Sequence, residues 1–268
     1  MKRLITWLHG GLFMLALSVC NAQGTSQSQA DDAVFHVFLL LGQSNMAGFQ
    51  KALAEDKVAN SRILALGFDD CPAANRTEGE WSVAVPPLHE CWNGALGPGD
   101  TFAKAMLDVY PGEDKIGVVP SALSGKPVET FMKGLPDSRY EWILARARAA
   151  LDAGGVIEGI LYHQGESNCG QPDWPEKVAT FITDLRTDLG LGDNVPVLVG
   201  ELLYSGDCAR QNPLVHRIPE LLANAHVVSA AGLDMAEGDP WRVHFSRDAD
   251  IELGLRYARA MQASMERQ

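Results

Sequence analysis

The polar residues best placed to do chemistry stand in four short segments, each directly after an apolar run. Gly42-Gln43-Ser44-Asn45-Met46-Ala47-Gly48 follows the first run, and Ser121-Ala122-Leu123-Ser124-Gly125-Lys126 the second. His163-Gln164-Gly165-Glu166-Ser167-Asn168 follows the third, and Gly200-Glu201-Leu202 the fourth. A serine hydroxyl is a weak nucleophile and attacks an ester only with a base in hydrogen-bond reach. Ser44 is therefore either a nucleophile awaiting its base or a turn serine capping the next helix. Its segment is not the G-x-S-x-G elbow, because residue 46 is Met. Nor is it a phosphate loop, since no Gly-Lys-Ser/Thr follows.

These segments need a scaffold that collects strand ends. The continuous apolar run at residues 34–41 reads as a strand buried on both faces. Residues 116–120, 156–162, 195–199 and 225–230 repeat the pattern, and residues 62–66 do so more weakly. Helical patterns lie between them. Phe102, Ala105, Met106 and Val109 share one face of a helix expected over 101–109. Further helices are expected over 138–153, 175–189, 213–224 and 248–266. Strand–helix alternation of this kind predicts an α/β fold, a single three-layer α/β/α domain. Right-handed crossovers make its parallel sheet, of about five strands, doubly wound. Ligands bind beyond the carboxyl ends of such strands, where the four polar segments stand. Residues 68–98 form the longest irregular stretch.

The chain opens with Met1-Lys2-Arg3, then a largely apolar run to Val19, then Cys20-Asn21-Ala22. This is the pattern of a secretory signal over residues 1–22, with residues 23–268 as the mature domain and an ordered core over 33–266. A secreted or periplasmic protein is expected; a lipoprotein anchored through Cys20 is the minor alternative. The apolar run is short and interrupted, so no stable membrane insertion is expected after cleavage. Losing Lys2 and Arg3 takes the net charge from the −12 of the 268-residue chain further into the negative. No cluster of Lys and Arg offsets it, which argues against nucleic acid. No signature sets an oligomeric state.

Cys71, Cys91, Cys169 and Cys208 remain in the mature chain. Four cysteines in an exported protein permit two disulfides. Cys71 and Cys91 flank one loop-rich region, so they pair. Cys169 then pairs with Cys208, both after strand-like segments. No C-x-x-C or H-x-x-H spacing supports a metal site.

Gly42-Gln43-Ser44-Asn45-Met46-Ala47-Gly48 resembles the first block of the SGNH hydrolase superfamily, whose fold is flavodoxin-like. More narrowly, it is similar to the branch of sialate O-acetylesterases and acetylxylan esterases, carbohydrate esterase family six. Val119-Pro120 to Ser124-Gly125 resembles the second block. Tyr162 to Asn168 is similar to the Q-G-E block, and His244-Phe245 to the last. The resemblance implies a secreted serine esterase that removes O-acetyl groups from carbohydrates such as acetylated xylan or sialic acid, with no cofactor. It implies Ser44 as nucleophile and His244 as general base. The oxyanion donors it implies are the backbone N–H groups of Ser44 and Gly125 and the side-chain amide of Gln164. Such donors are worth roughly 3–4 kcal/mol each in the transition state.

The acid of that branch stands three residues before the histidine, where this chain has Trp241. Asp239 is the expected substitute, Glu166 the alternative, and a dyad without an acid the third reading. Substrate contacts are expected from Gln43, Asn45, His89 and Trp241. Trp92 and Trp174 offer further aromatic faces, whose commoner role is packing. His163, beside an apolar strand, reads as a packed residue. Two other functions fit the sequence: a non-catalytic carbohydrate-binding relative, motivated by Trp241, and a lipid or thioester hydrolase.

Overall fold

The computed structural model describes Met1 and residues 33–267. The expected leader over 1–22 and Cys20 lie outside the described residues of the fold.

The first strand, β1 (Phe35–Gly42), carries the alternation expected of a strand covered on both sides. Val37, Leu39 and Leu41 face one core, while Phe38 and Leu40 face the other. After the short helix α1 (Ser44–Ala47) come β2 (Ile63–Leu66), β3 (Trp81–Val83) and α2 (Pro98–Met106). Then follow β4 (Lys115–Pro120), α3 (Tyr140–Asp152), β5 (Val156–His163) and α4 (Trp174–Leu189). The chain closes with β6 (Val197–Gly200), α5 (Asn212–Val215), α6 (Ile218–Leu221), β7 (Ala225–Val228) and α7 (Arg247–Met265). Ile143, Leu144 and Ala147 of α3 join Val178, Phe181 and Ile182 of α4 in one core. Phe102 and Met106 of α2 join Leu253, Tyr257 and Met261 of α7 in the other. The result is the three-layer α/β/α arrangement.

The sheet has seven strands, in the order β3-β2-β4-β1-β5-β6-β7, rather than about five. The additions have a physical reason. β2 is four residues long, and β3 is a three-residue edge strand without a buried face. β3 pairs antiparallel with β2 alone, so it needs no apolar run, and its segment reads as loop. The other pairings are parallel. The single helix expected over 213–224 is instead α5 and α6. Pro219 lacks an N–H to continue the α5 ladder and starts a fresh turn.

β1 lies between β4 and β5, so the segments after these three strands meet at one end of the sheet. Gly42 lets them meet closely. Its φ is +130°, and a Cβ there would stand 2.0 Å from the carbonyl oxygen of His163. The disulfides Cys71–Cys91 and Cys169–Cys208 both form, and the second ties the segment after β5 to the one after β6. Spanning 20 and 39 residues, each stabilises the fold by about 3–4 kcal/mol in the chain-entropy account. Among the described residues, no helix is long and apolar enough to cross a membrane.

Candidate active site

Ser44 is the first residue of α1, where the chain turns off the end of β1. His244 arrives from the far end of the sequence. Its position is set by α7, which begins three residues later with Ser246 accepting the Ala249 N–H at 3.2 Å. The His244 Nε2 lies 2.9 Å from Ser44 Oγ, and its Nδ1 lies 3.0 Å from Asp239 Oδ1. Asp239 therefore occupies the place that the residue three before the histidine was expected to fill. The segment between them is a tight loop wrapped on this carboxylate. Oδ2 accepts the N–H groups of Val243 and His244 at 2.8 Å, and Oδ1 accepts that of Trp241 at 3.2 Å. Arg242 takes a positive φ of 53° to close the turn. Burial pushes the Asp239 carboxyl up, but the donated hydrogen bonds outweigh it and hold it below the usual carboxylate range. An ionised acid next to Nδ1 keeps Nε2 free to accept the serine proton.

Two aromatic rings fix the imidazole plane. Phe49 stacks on it, with centroids 4.0 Å apart and planes 7° apart. Trp241 meets it edge-on at 5.6 Å. Phe49 escaped the sequence reading, although an aromatic directly after Gly48 of the serine segment was the available signal.

Ser44 and His244 open into a cavity of about 820 Å³. Each converging segment supplies part of its wall. Gln43, Gly48 and Phe49 come from the first, Ser124 and Gly125 from the second, and Glu166 and Ser167 from the third. Trp241 and Val243 come from the histidine loop, and Trp92 from the irregular stretch. Gly125 has a left-handed φ of +68° in the turn after β4. The N–H of Ser44 heads a helix and has no intrahelical acceptor.

A family model described as carbohydrate esterase, sialic acid-specific acetylesterase, matches residues 34–263. The chain belongs to this family. It is therefore a carbohydrate acetylesterase with an SGNH-type fold. A probable carbohydrate esterase of Arabidopsis thaliana is 28% identical over 250 residues, which cover 84% of this chain and 89% of the plant protein. The X-ray structure of an Arabidopsis thaliana protein aligns with a TM-score of 0.69 at 27% identity, covering 85% of this chain and 98% of that one. NanS aligns with a TM-score of 0.69 at 16% identity, covering 88% of this chain and 98% of that one, and supports the fold alone. So does a carbohydrate acetylesterase from Xanthomonas citri, with a TM-score of 0.64 at 20% identity over 87% of this chain and 57% of that one.

Not every expected residue of the esterase reaches its cavity. Gln164 is fully buried and is not part of the wall. Its Nε2 donates to Asn168 Oδ1 at 2.7 Å and to Gln43 Oε1 at 3.1 Å, and its Oε1 accepts from Trp174 Nε1 at 2.7 Å. With its amide so committed, Gln164 orders the turn after β5 and presents no donor to an oxyanion. Trp174 is likewise a core residue. Asn45 is buried too. Its Nδ2 donates to Val243 O at 2.9 Å and to Glu166 Oε1 at 2.5 Å, and its Oδ1 accepts the Phe245 N–H at 3.3 Å. Asn45 thus fastens the histidine loop to the serine turn rather than touching substrate. Glu166 pairs with Asn45 and not with His244, and burial pushes its carboxyl up to about 7 against that hydrogen bond. His89 is buried away from the cavity. The signal separating these residues from Gln43 is side-chain direction at a strand end, which sequence spacing does not carry.

His89 and His163 carry a pH prediction. Burial, aided at His89 by the Arg146 and Arg76 charges, lowers each from 6.5 to about 3. The unfolded chain gains these protons as pH falls below 6.5, while the fold resists until about 3. Stability therefore falls through this window on acidification, by at most about 5 kcal/mol per histidine. Glu166, raised from 4.5 to about 7, acts in the opposite sense: the fold keeps a proton that the unfolded chain releases, so its contribution falls as pH rises through that range. Urea unfolding from pH 7 to pH 4 checks this. The stability gap between wild type and His89→Gln should shrink as pH falls; a constant gap would contradict it.

Proposed function

We propose that the esterase removes O-acetyl groups from carbohydrates through an acetyl-Ser44 intermediate. The observation that carries this reading is the unbroken hydrogen-bonded line from Asp239 through His244 to Ser44, ending in the cavity. His244 Nε2 takes the proton of Ser44 as Oγ attacks the acetyl carbonyl. The backbone N–H groups of Ser44 and Gly125 receive the developing oxyanion. His244 then returns the proton to the departing sugar oxygen. A water then attacks the acetyl-serine with His244 again as base; the acyl C–Oγ bond breaks, His244 returns the proton to Ser44 Oγ, and acetate leaves. Asp239 orients the imidazole and stabilises its cation throughout.

The motive for a non-catalytic binding relative was the missing acid at position 241, and the Asp239 carboxylate removes it. Export fits this reading, because structural disulfides such as Cys71–Cys91 and Cys169–Cys208 persist in oxidising compartments. A leader over residues 1–22 supplies the route. Acetate release from p-nitrophenyl acetate and from acetylated xylan tests the activity. Both should be hydrolysed, and p-nitrophenyl octanoate much more slowly. Faster turnover of the octanoate would favour a lipid hydrolase instead, and no release from any ester would remove the catalytic reading.

A further inference from the structure

We infer that Phe49 is a positioning residue for the second half of the reaction: its ring holds the His244 imidazole in place while Ser44 carries the acetyl group. This rests on the acetyl-Ser44 reading above and concerns how the same base is held once the serine is occupied. In the free enzyme two hydrogen bonds fix the imidazole, Nδ1 to Asp239 Oδ1 at 3.0 Å and Nε2 to Ser44 Oγ at 2.9 Å. Acylation removes the second, because an ester Oγ has no proton to donate. The base then has to meet a water with Nε2 unheld. In that step water adds to the acetyl carbonyl and gives a proton to Nε2. The acyl C–Oγ bond breaks, Oγ takes that proton, and acetic acid leaves as acetate and a proton. A general base works only within hydrogen-bond reach of the proton it takes, so an imidazole tethered at Nδ1 alone loses rate whenever it tilts away.

The contact with Phe49 does not pass through Ser44. The two rings are stacked, with centroids 4.0 Å apart and planes 7° apart, so tilting the imidazole means breaking a face-on contact. Trp241 closes the cluster edge-on, 5.9 Å from Phe49 and 5.6 Å from His244. Phe49 also lines the cavity, on the side of the base that the incoming water shares.

Phe49 is itself held from outside the site. Beyond it, Leu96 N donates to Gln50 O at 2.8 Å and Ala52 N donates to Gly94 O at 3.0 Å, which pairs the segment with residues 94–96. Asp56 then grips Arg247 with both carboxylate oxygens, Oδ2 to Nε at 3.0 Å and Oδ1 to Nη2 at 2.6 Å. Asp56 Oδ2 also accepts the Leu53 N–H at 2.7 Å. Arg247 stands three residues after His244. The segment that brings Phe49 and the segment that brings His244 are therefore clamped to each other by a two-point ion pair, independently of the serine.

The test separates the two half-reactions. Enzyme in excess is mixed with p-nitrophenyl acetate; nitrophenolate absorbance reads acylation, and acid quenching with mass spectrometry reads the decay of acetyl-Ser44. Phe49→Leu should slow that decay by at least about tenfold and acylation by less than about threefold, so that acetyl-Ser44 accumulates. Phe49→Tyr keeps the ring and should return the decay to within about threefold of wild type. A loss of folded protein leaves the ratio of the two rate constants unchanged, so the ratio reports positioning rather than stability. Phe49→Met, with its adaptable side chain, repeats the comparison if the leucine variant does not fold. An unchanged ratio in Phe49→Leu, or decay in Phe49→Tyr as slow as in Phe49→Leu, would overturn the inference and leave the acetyl-Ser44 reading standing. Turnover without an acetyl group on Ser44, in wild type and Phe49→Leu alike, would overturn that reading and this inference with it.

Discussion

Ser44→Ala is expected to lower kcat for acetate release by at least about 10⁴-fold while leaving the fold intact. The Oγ of Ser44 meets His244 Nε2 at 2.9 Å, and the backbone around it is held by other groups. Gln43 N donates to His163 O at 2.9 Å, and Gly48 N donates to Ser44 O at 2.7 Å. Asn45 keeps its bonds to Val243 and Glu166. Alanine therefore deletes the nucleophile without loosening the turn. Background hydrolysis by water, aided by binding and by the two N–H donors, sets the residual rate. Unfolding by urea should be nearly unchanged, which separates loss of chemistry from loss of structure. A loss of less than tenfold, with the fold intact, would deny Ser44 its role.

Asp239→Asn carries the second large effect, on both rate and stability. An amide at this position favours the wrong imidazole tautomer, and kcat should fall by about 10⁴-fold at neutral pH. The carboxylate also accepts three backbone N–H groups, from Trp241, Val243 and His244. An amide nitrogen placed against one of them repels it, so stability should drop by about 1–3 kcal/mol. Glu166→Gln is the comparison that matters. Glu166 acts on His244 only at second hand, through Asn45, and glutamine can still accept the Asn45 hydrogen bond. Its loss in kcat should be at least about a hundredfold smaller than that of Asp239→Asn. The reverse order would make Glu166 the acid.

The sequence was most legible where local pattern and tertiary demand agree. β1 is buried on both faces and reads as a strand without help from the rest of the chain. The pairing of Cys71 with Cys91 follows from a shared loop region, and that of Cys169 with Cys208 from the strands before them. β3 was illegible because an edge strand of three residues, paired on one side, needs no hydrophobic pattern. The break between α5 and α6 was written as Pro219, but Leu214, Val215, Ile218, Leu221 and Leu222 keep a helical apolar spacing across it.

The site divides along similar lines. Residue types within a short segment announce chemistry, but a turn alternates the directions of its side chains. Within Gln43-Ser44-Asn45, the first two line the cavity and the third points back into the fold. Gln164 and Glu166 are separated by one residue, yet Glu166 reaches the wall and Gln164 does not. Asp239 was the expected carboxylate partner of His244, but the loop geometry that lets it stand five residues away was not written in the spacing. A five-residue step from Asp239 works because the acid collects the backbone N–H groups of its own loop, and Arg242 turns the chain through a left-handed φ.

One measurement tests the central claim most directly. The protein is mixed with p-nitrophenyl acetate, quenched in acid within the first turnovers, digested and weighed by mass spectrometry. The peptide carrying Ser44 should gain the mass of one acetyl group, and the gain should vanish in Ser44→Ala. Turnover with an acetyl group trapped on another residue, or persistence of the adduct and the activity in Ser44→Ala, would contradict the account.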